Sequence, residues 1–171
     1  MLKRAVLVVL AVLFAVGVYA NWPEAGPAHL GQADVVVIYK AERRMTLMQA
    51  GAELKSYVVS LGRNPVGPKS QEGDGRTPEG LYAIDYRKPD SAYYKALHIS
   101  YPSLTDLSAA RQRAVDPGGL IMIHGMRNGL GLVGRLHRLI DWTEGCIAVT
   151  NREMDEIWNA VRDGTPVEIR P

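Results

Sequence analysis

The sequence predicts a mainly β domain with a few α-helices. Three observations carry this. Short β-branched apolar runs recur along the chain with turn residues between them. Helical spacing is concentrated late in the chain. No regular strand–helix alternation appears, which argues against a parallel doubly wound sheet. The composition agrees: 171 residues, 47% hydrophobic and 22% charged, as in a globular protein rather than a disordered, collagen-like or multi-span membrane chain.

Residues 1–20 differ from the rest. Lys3 and Arg4 make a positive start, and Ala5 to Val18 is an apolar run without a charge. Val18-Tyr19-Ala20 then puts small or medium residues where a signal peptidase reads. This is the layout of a secretory signal cleaved after Ala20. The alternative is an uncleaved anchor, a tether through residues 5–18, although the run is short against the roughly 20 residues of a spanning helix. In both cases the remaining domain is exported, to the periplasm or cell envelope. The segment holds two of the 20 basic residues and none of the 18 acidic ones, leaving 18 against 18. No Lys/Arg run of five or more occurs, so there is no electrostatic footprint for nucleic acid. The remaining 151 residues suit one domain, expected to be monomeric.

The elements follow in order. Residues 21–33, with Asn21, Trp22, Pro23, Gly26, Pro27 and Gly31, read as a linker, and residues 34–171 as the domain. Val35–Tyr39 reads as a buried strand, followed by strands over Met45–Gln49 and Leu54–Leu61. Residues 62–80 hold five glycines and three prolines, a long loop of the kind that often carries function. Leu81–Tyr86 alternates, with Tyr82, Ile84 and Tyr86 on one face. Further strands are expected over Leu97–Ser100 and Leu120–His124, with a short helix over Asp106–Val115 between them. Leu132, Val133, Leu136, Leu139 and Ile140 have helical spacing, weakened by Gly134. Cys146–Val149 reads as a strand. The last helix is the clearest: Thr150 and Glu153 form a capping box, Met154, Ile157, Trp158 and Val161 an apolar stripe, and Gly164 and Pro166 a stop. Val167–Ile169 closes the fold.

The chain has one cysteine, Cys146, which excludes a disulfide framework, and no metal or other cofactor is expected from the scattered histidines. A lone cysteine is most often a small buried hydrophobe. In an exported protein an unpaired thiol needs a reason. Thr143-Glu144-Gly145 precedes it, and a glycine there allows a tight turn, close approach of a substrate and backbone N–H groups aimed at an oxyanion. Of the four histidines, His29 lies in the linker and His137 on the 131–140 segment in a solvated or structural role. His98 lies in a strand, beside the site or in the core. His124 ends a buried strand with Gly125 after it, the placement of a base that raises the thiolate fraction and later protonates a leaving amine.

Ile123-His124-Gly125, a glycine-rich stretch, then Thr143-Glu144-Gly145-Cys146-Ile147 resembles the signature of the L,D-transpeptidase (YkuD-type) catalytic domain. Asp74 to Tyr82, with Thr77-Pro78-Glu79-Gly80, looks like that family's Thr-Pro-x-Gly-aromatic strand start. The resemblance covers about residues 34–170 and implies a β-sandwich or barrel. Cys146 matches the family nucleophile, His124 its base, and Gly145 and Thr143 the residues preceding the thiol. Gly125, Tyr101, Arg127 and Arg135 are candidates for substrate contact, Tyr101 in a donor groove or simply as a packing aromatic, the arginines on stem carboxylates or as plain surface residues. Residues 126–142, with Gly129, Gly131 and Gly134, are a candidate lid. Glu144 replaces a second histidine found in many members, Ala148 an asparagine or arginine, and the 22-position His-to-Cys interval is long. These departures resemble the YafK-like branch.

The resemblance implies attack by Cys146 on the peptide bond between the position-three diamino acid and D-alanine of a peptidoglycan stem, a thioester acyl-enzyme, and transfer to an amine in wall cross-linking or remodelling. Resolution by water would instead make a carboxypeptidase or a hydrolase of wall-linked protein. A non-catalytic peptidoglycan-binding module is the third reading.

Overall fold

The structure is a computed structural model and describes residues 2–22 and 30–171. Much of the expected linker, including His29, lies outside the described residues. The N-terminal run forms one helix, α1 (Leu2–Asn21), long and apolar enough to cross a membrane. A cleaved leader and an anchor share that form.

Eight strands follow: β1 (Val35–Tyr39), β2 (Arg44–Gln49), β3 (Ala52–Val58), β4 (Gly80–Ser91), β5 (Tyr94–Ile99), β6 (Met122–His124), β7 (Ile147–Ala148) and β8 (Pro166–Arg170). Helices α2 (Leu104–Gln112) and α3 (Asn151–Ala160) complete the domain with a 3-10 segment over Gly131–Leu139. The sheet order is β3-β2-β1-β8-β4-β5-β6-β7, a mostly β half-barrel. β1 with β2, β2 with β3 and β4 with β5 pair antiparallel across short connections, and β5–β6 and β4–β8 are antiparallel as well. The two parallel pairs, β1 with β8 and β6 with β7, join strands far apart in sequence. The inward faces of the strands, with Met154, Ile157 and Ala160 of α3, form one core.

Most expected elements are present. The β-branched run 35–39 is a strand with Val36 and Ile38 fully buried. Thr150 accepts from the Glu153 amide while the Glu153 carboxylate accepts from the Thr150 amide, so α3 starts on its capping box. Three expectations need correction. The first helix begins earlier, over Leu104–Gln112, because Ser103 is its cap and Asp106 closes the box three residues on. The alternation of β4 ends after Ile84: a register shift separates Ile84 from Tyr86, which is exposed and stacks on His98. Residues 131–139 are two short 3-10 pieces broken at Gly134 (φ 51°, ψ −136°), and Leu132, Leu139 and Ile140 face solvent while Gly134 and His137 are buried.

The long loop is held from inside. Lys40 is 2% exposed and its Nζ donates to the carbonyls of Gly67 (2.6 Å) and Thr77 (2.9 Å) and to Glu79 Oε1 (2.7 Å). Desolvation lowers its pKa, and the Glu79 carboxylate opposes that. The side chain is placed as buried cations generally are, with every donor matched.

Candidate active site

His124 ends β6 and Cys146 directly precedes β7, and these two strands pair in parallel. Ile123 pairs with Ile147 and His124 with Ala148. Both isoleucines are fully buried on the core face. Side chains alternate along a strand, so His124 and Cys146 project from the opposite face. Extending the register puts Cys146 beside Met122, one diagonal from His124, with Cα atoms about 8 Å apart for ordinary strand spacing and rise.

The imidazole is held in one tautomer. His124 Nδ1 lies 2.7 Å from the Gly125 carbonyl oxygen. A carbonyl only accepts, so Nδ1 carries the proton and Nε2 keeps its lone pair. The ring packs against Tyr93 (centroids 4.6 Å) and Trp142 (5.8 Å). Those two side chains, with Met126, Val133 and His137, also line a cavity of 400 Å³. His124 is buried, and desolvation lowers its pKa against the upward pull of the Gly125 bond.

Cys146 is half-buried, its Sγ donating to the Leu120 carbonyl (3.5 Å). Desolvation raises its pKa, while the Met122 amide and the Lys69 charge pull it down. Both shifts favour the uncharged forms, a neutral imidazole and a neutral thiol.

The turn before the thiol is closed on itself. Thr143 Oγ1 donates to the Cys146 carbonyl (2.7 Å) and accepts from the Gly145 amide (3.1 Å). The Gly145 N–H is therefore engaged within the turn, and Thr143, 4% exposed, shapes the turn instead of facing a substrate. Gly145 has φ 132°, and a Cβ there would lie 2.5 Å from the Arg76 carbonyl oxygen. The 62–77 loop thus presses directly on the thiol turn, and Thr143 also bonds the chain at Leu61 and Arg63. Within that loop the Asp74 carboxylate accepts from the amides of Ser70, Gln71 and Arg76 and from Lys69 Nζ (2.9 Å). Burial would raise the Asp74 pKa, but these bonds outweigh it and hold it at about 2.

The other candidates separate. Tyr101 is 3% exposed and donates to the Pro117 carbonyl, so it packs in the core and lines no groove. Gly125 is crowded by Asn151 and Tyr94, and its carbonyl orients His124. Arg127 is exposed at the rim of the cavity. Arg135 lies over the Tyr19 ring at the end of α1. Glu144 is exposed and paired with Arg63. His98 lies two strands from Cys146 with Nδ1 2.6 Å from Asp85. His137 is buried, which excludes the solvated role: Nδ1 lies 3.0 Å from Ser60 Oγ, and burial, Arg138 and His124 lower its pKa to about 4.

Sequence reasoning missed Lys69, Asp74, Tyr93 and Trp142 as parts of this site. Trp142 directly precedes the thiol motif, and Asp74 opens the quoted loop motif; Lys69 and Tyr93 carry no local signal.

The half-barrel places His124 at the end of β6 and Cys146 just before the paired β7, and a family model identifies the class of domain. The L,D-transpeptidase catalytic domain (YkuD) matches residues 33–169, and the chain belongs to that family. It is 32% identical over 138 residues to the Escherichia coli (strain K12) protein named "Putative L,D-transpeptidase YafK", covering 77% of this chain and 48% of that one. The chain therefore spans about half the length of the curated relatives it matches. Among solved structures, the helical cell shape determining protein Pgp2 of Campylobacter jejuni (K307A mutant) is 25% identical with TM-score 0.60, covering 85% of this chain and 50% of that one. The L,D-transpeptidase of Xylanimonas cellulosilytica shares the fold at 15% identity, with TM-score 0.52 over 86% of this chain and 65% of that one.

Proposed function

We propose that this chain is a cysteine L,D-transpeptidase of the cell envelope that remodels peptidoglycan stem peptides. The observation that carries the reading is the shared face of Cys146 and His124, with the imidazole Nε2 lone pair left for the thiol by the Nδ1 bond to Gly125. Cys146 sulfur attacks the carbonyl of the position-three diamino acid, and His124 takes the thiol proton. The C–N bond to D-alanine breaks, His124 returns the proton to the leaving amine, and a thioester remains. An acceptor amine then attacks the thioester and regenerates the thiol. No ATP is needed, since the energy of the first peptide bond is kept in the thioester.

With the Gly145 amide engaged by Thr143, the oxyanion donor we assign is the Cys146 amide itself. Arg127, exposed at the cavity rim, is the remaining candidate for a stem carboxylate. The cell-shape description of Pgp2 fits a remodelling role. Hydrolysis at the same bond is the second reading, favoured by the half-exposed thiol, which admits water.

The test is incubation with a disaccharide-tetrapeptide, with and without an amine acceptor, followed by mass analysis. Transpeptidation predicts D-alanine release with acceptor incorporation. Release without incorporation points to the hydrolase. Absence of product, with sacculus binding unchanged by Cys146→Ser, points to the binding module.

A further inference from the structure

α1 does not stand clear of the domain. Its last turn packs on the Gly131–Leu139 segment. Ala20 is 2% exposed, and a Cβ on Gly134 would lie 2.3 Å from the Ala20 carbonyl oxygen. The positive φ of Gly134 kinks the segment at that contact. Asn21 Nδ2 donates to the Leu132 carbonyl (2.9 Å), and Arg135 covers the Tyr19 ring and donates to the Trp22 carbonyl.

The rest of α1 is bare. Leu7, Leu10, Leu13 and Phe14 are each more than half exposed. Twenty helical residues span about 30 Å, the thickness of a bilayer hydrocarbon core. Lys3 and Arg4 mark the cytoplasmic end. Tyr19 and Trp22, both 65% exposed, stand at the other end, where aromatic side chains favour the headgroup region.

We propose that α1 is retained as a membrane anchor whose last turn docks on the Gly131–Leu139 segment, so that this face of the domain rests on the phospholipid surface. Proteolytic cleavage selects exposed, yielding backbone. The bond after Ala20 instead lies in a helical turn with Ala20 covered. Leu132, 85% exposed, has its carbonyl clamped by Asn21 and so sits level with the end of the helix, at the lipid boundary. The same segment carries His137, which is bonded to Ser60 and lines the cavity beside Tyr93 and Trp142. The anchor therefore holds one wall of the site at a set height over the bilayer. The inference rests on the envelope location proposed above, not on the reaction.

The test uses the full-length chain with Cys146→Ala, so its outcome does not depend on activity. After expression in bacterial cells, membranes are washed with alkaline carbonate and the intact mass is measured. Residues 1–20 retained in the pellet are expected; a soluble chain beginning at Asn21 overturns the proposal. A second arm places a single cysteine at Leu132→Cys or, as a control, at the 82% exposed Val66→Cys. Each carries an environment-sensitive dye in phosphatidylethanolamine–phosphatidylglycerol nanodiscs. A blue shift and quenching by a lipid-borne quencher at 132 only are expected. Equal emission at both positions overturns the docking.

Discussion

Gly145→Ala probes how the thiol turn is built. Gly145 holds φ 132°, a region that side chains other than hydrogen disfavour by about 1–3 kcal/mol. The added methyl would sit 2.5 Å from the Arg76 carbonyl oxygen and 3.1 Å from Ile121 Cδ1. The first is backbone and cannot rotate aside, so overpacking adds about 1–3 kcal/mol. The two together cost about 2–6 kcal/mol, which lowers Tm by roughly 5–20 °C in a domain of this size. If the 62–77 loop yields instead, the thiol turn moves with it, and a displacement near 1 Å slows acylation by about 10²-fold. Thermal denaturation and the rate of acyl-adduct formation by mass spectrometry read the two outcomes. A variant with unchanged Tm and an acylation rate within about two-fold of the parent would refute the argument.

Cys146→Ala is expected to remove all covalent adducts, including the carbapenem adduct implied by family resemblance, and to lower turnover about 10⁴-fold or more; full turnover by this variant would end the assignment. Burial holds His124 below 6.5 and the Cys146 thiol above 9.0, so alkylation of Cys146 should still be rising past pH 9 and the acid limb of acylation should fall below pH 6.5; a plateau of alkylation at neutral pH would show an ion pair instead. Asp74 is held at about 2 against an ordinary 3.8, so its stabilisation is present above about pH 4 and lost as the pH falls through 2. Asp74→Asn should cost about 1–2 kcal/mol at pH 7, allowing for partial solvent screening, with the difference from the parent shrinking toward pH 2 in denaturant titrations. Thr150→Ala, which removes the cap of α3, should cost about 1 kcal/mol in the same titrations.

Local patterns translated well where a segment's own residues satisfy it. The β-branched run of β1 and the capping box of α3 each contain their stabilising features within a few residues. The expectation for 131–140 failed for the opposite reason. Its leucine spacing describes a helix, but Gly134 breaks that helix where α1 needs room, and the apolar side chains were left outside. For Tyr101 the sequence left a donor groove and a packing aromatic both open, and the contact with Pro117, 16 residues on, belongs to the second.

The sequence by itself determined the chemical types at the site and the β-rich class, because these depend on residue identity and near-neighbour spacing. Only the tertiary structure decided which groups meet. The β6–β7 register sets Cys146 and His124, 22 positions apart in the chain, near neighbouring strand ends, and the turn consumes the Gly145 amide that looked available. Lys69, Tyr93 and Trp142 reach the site through pairings of strands and loops distant along the chain, where the free energy of burial and hydrogen bonding is shared among partners that no local window contains.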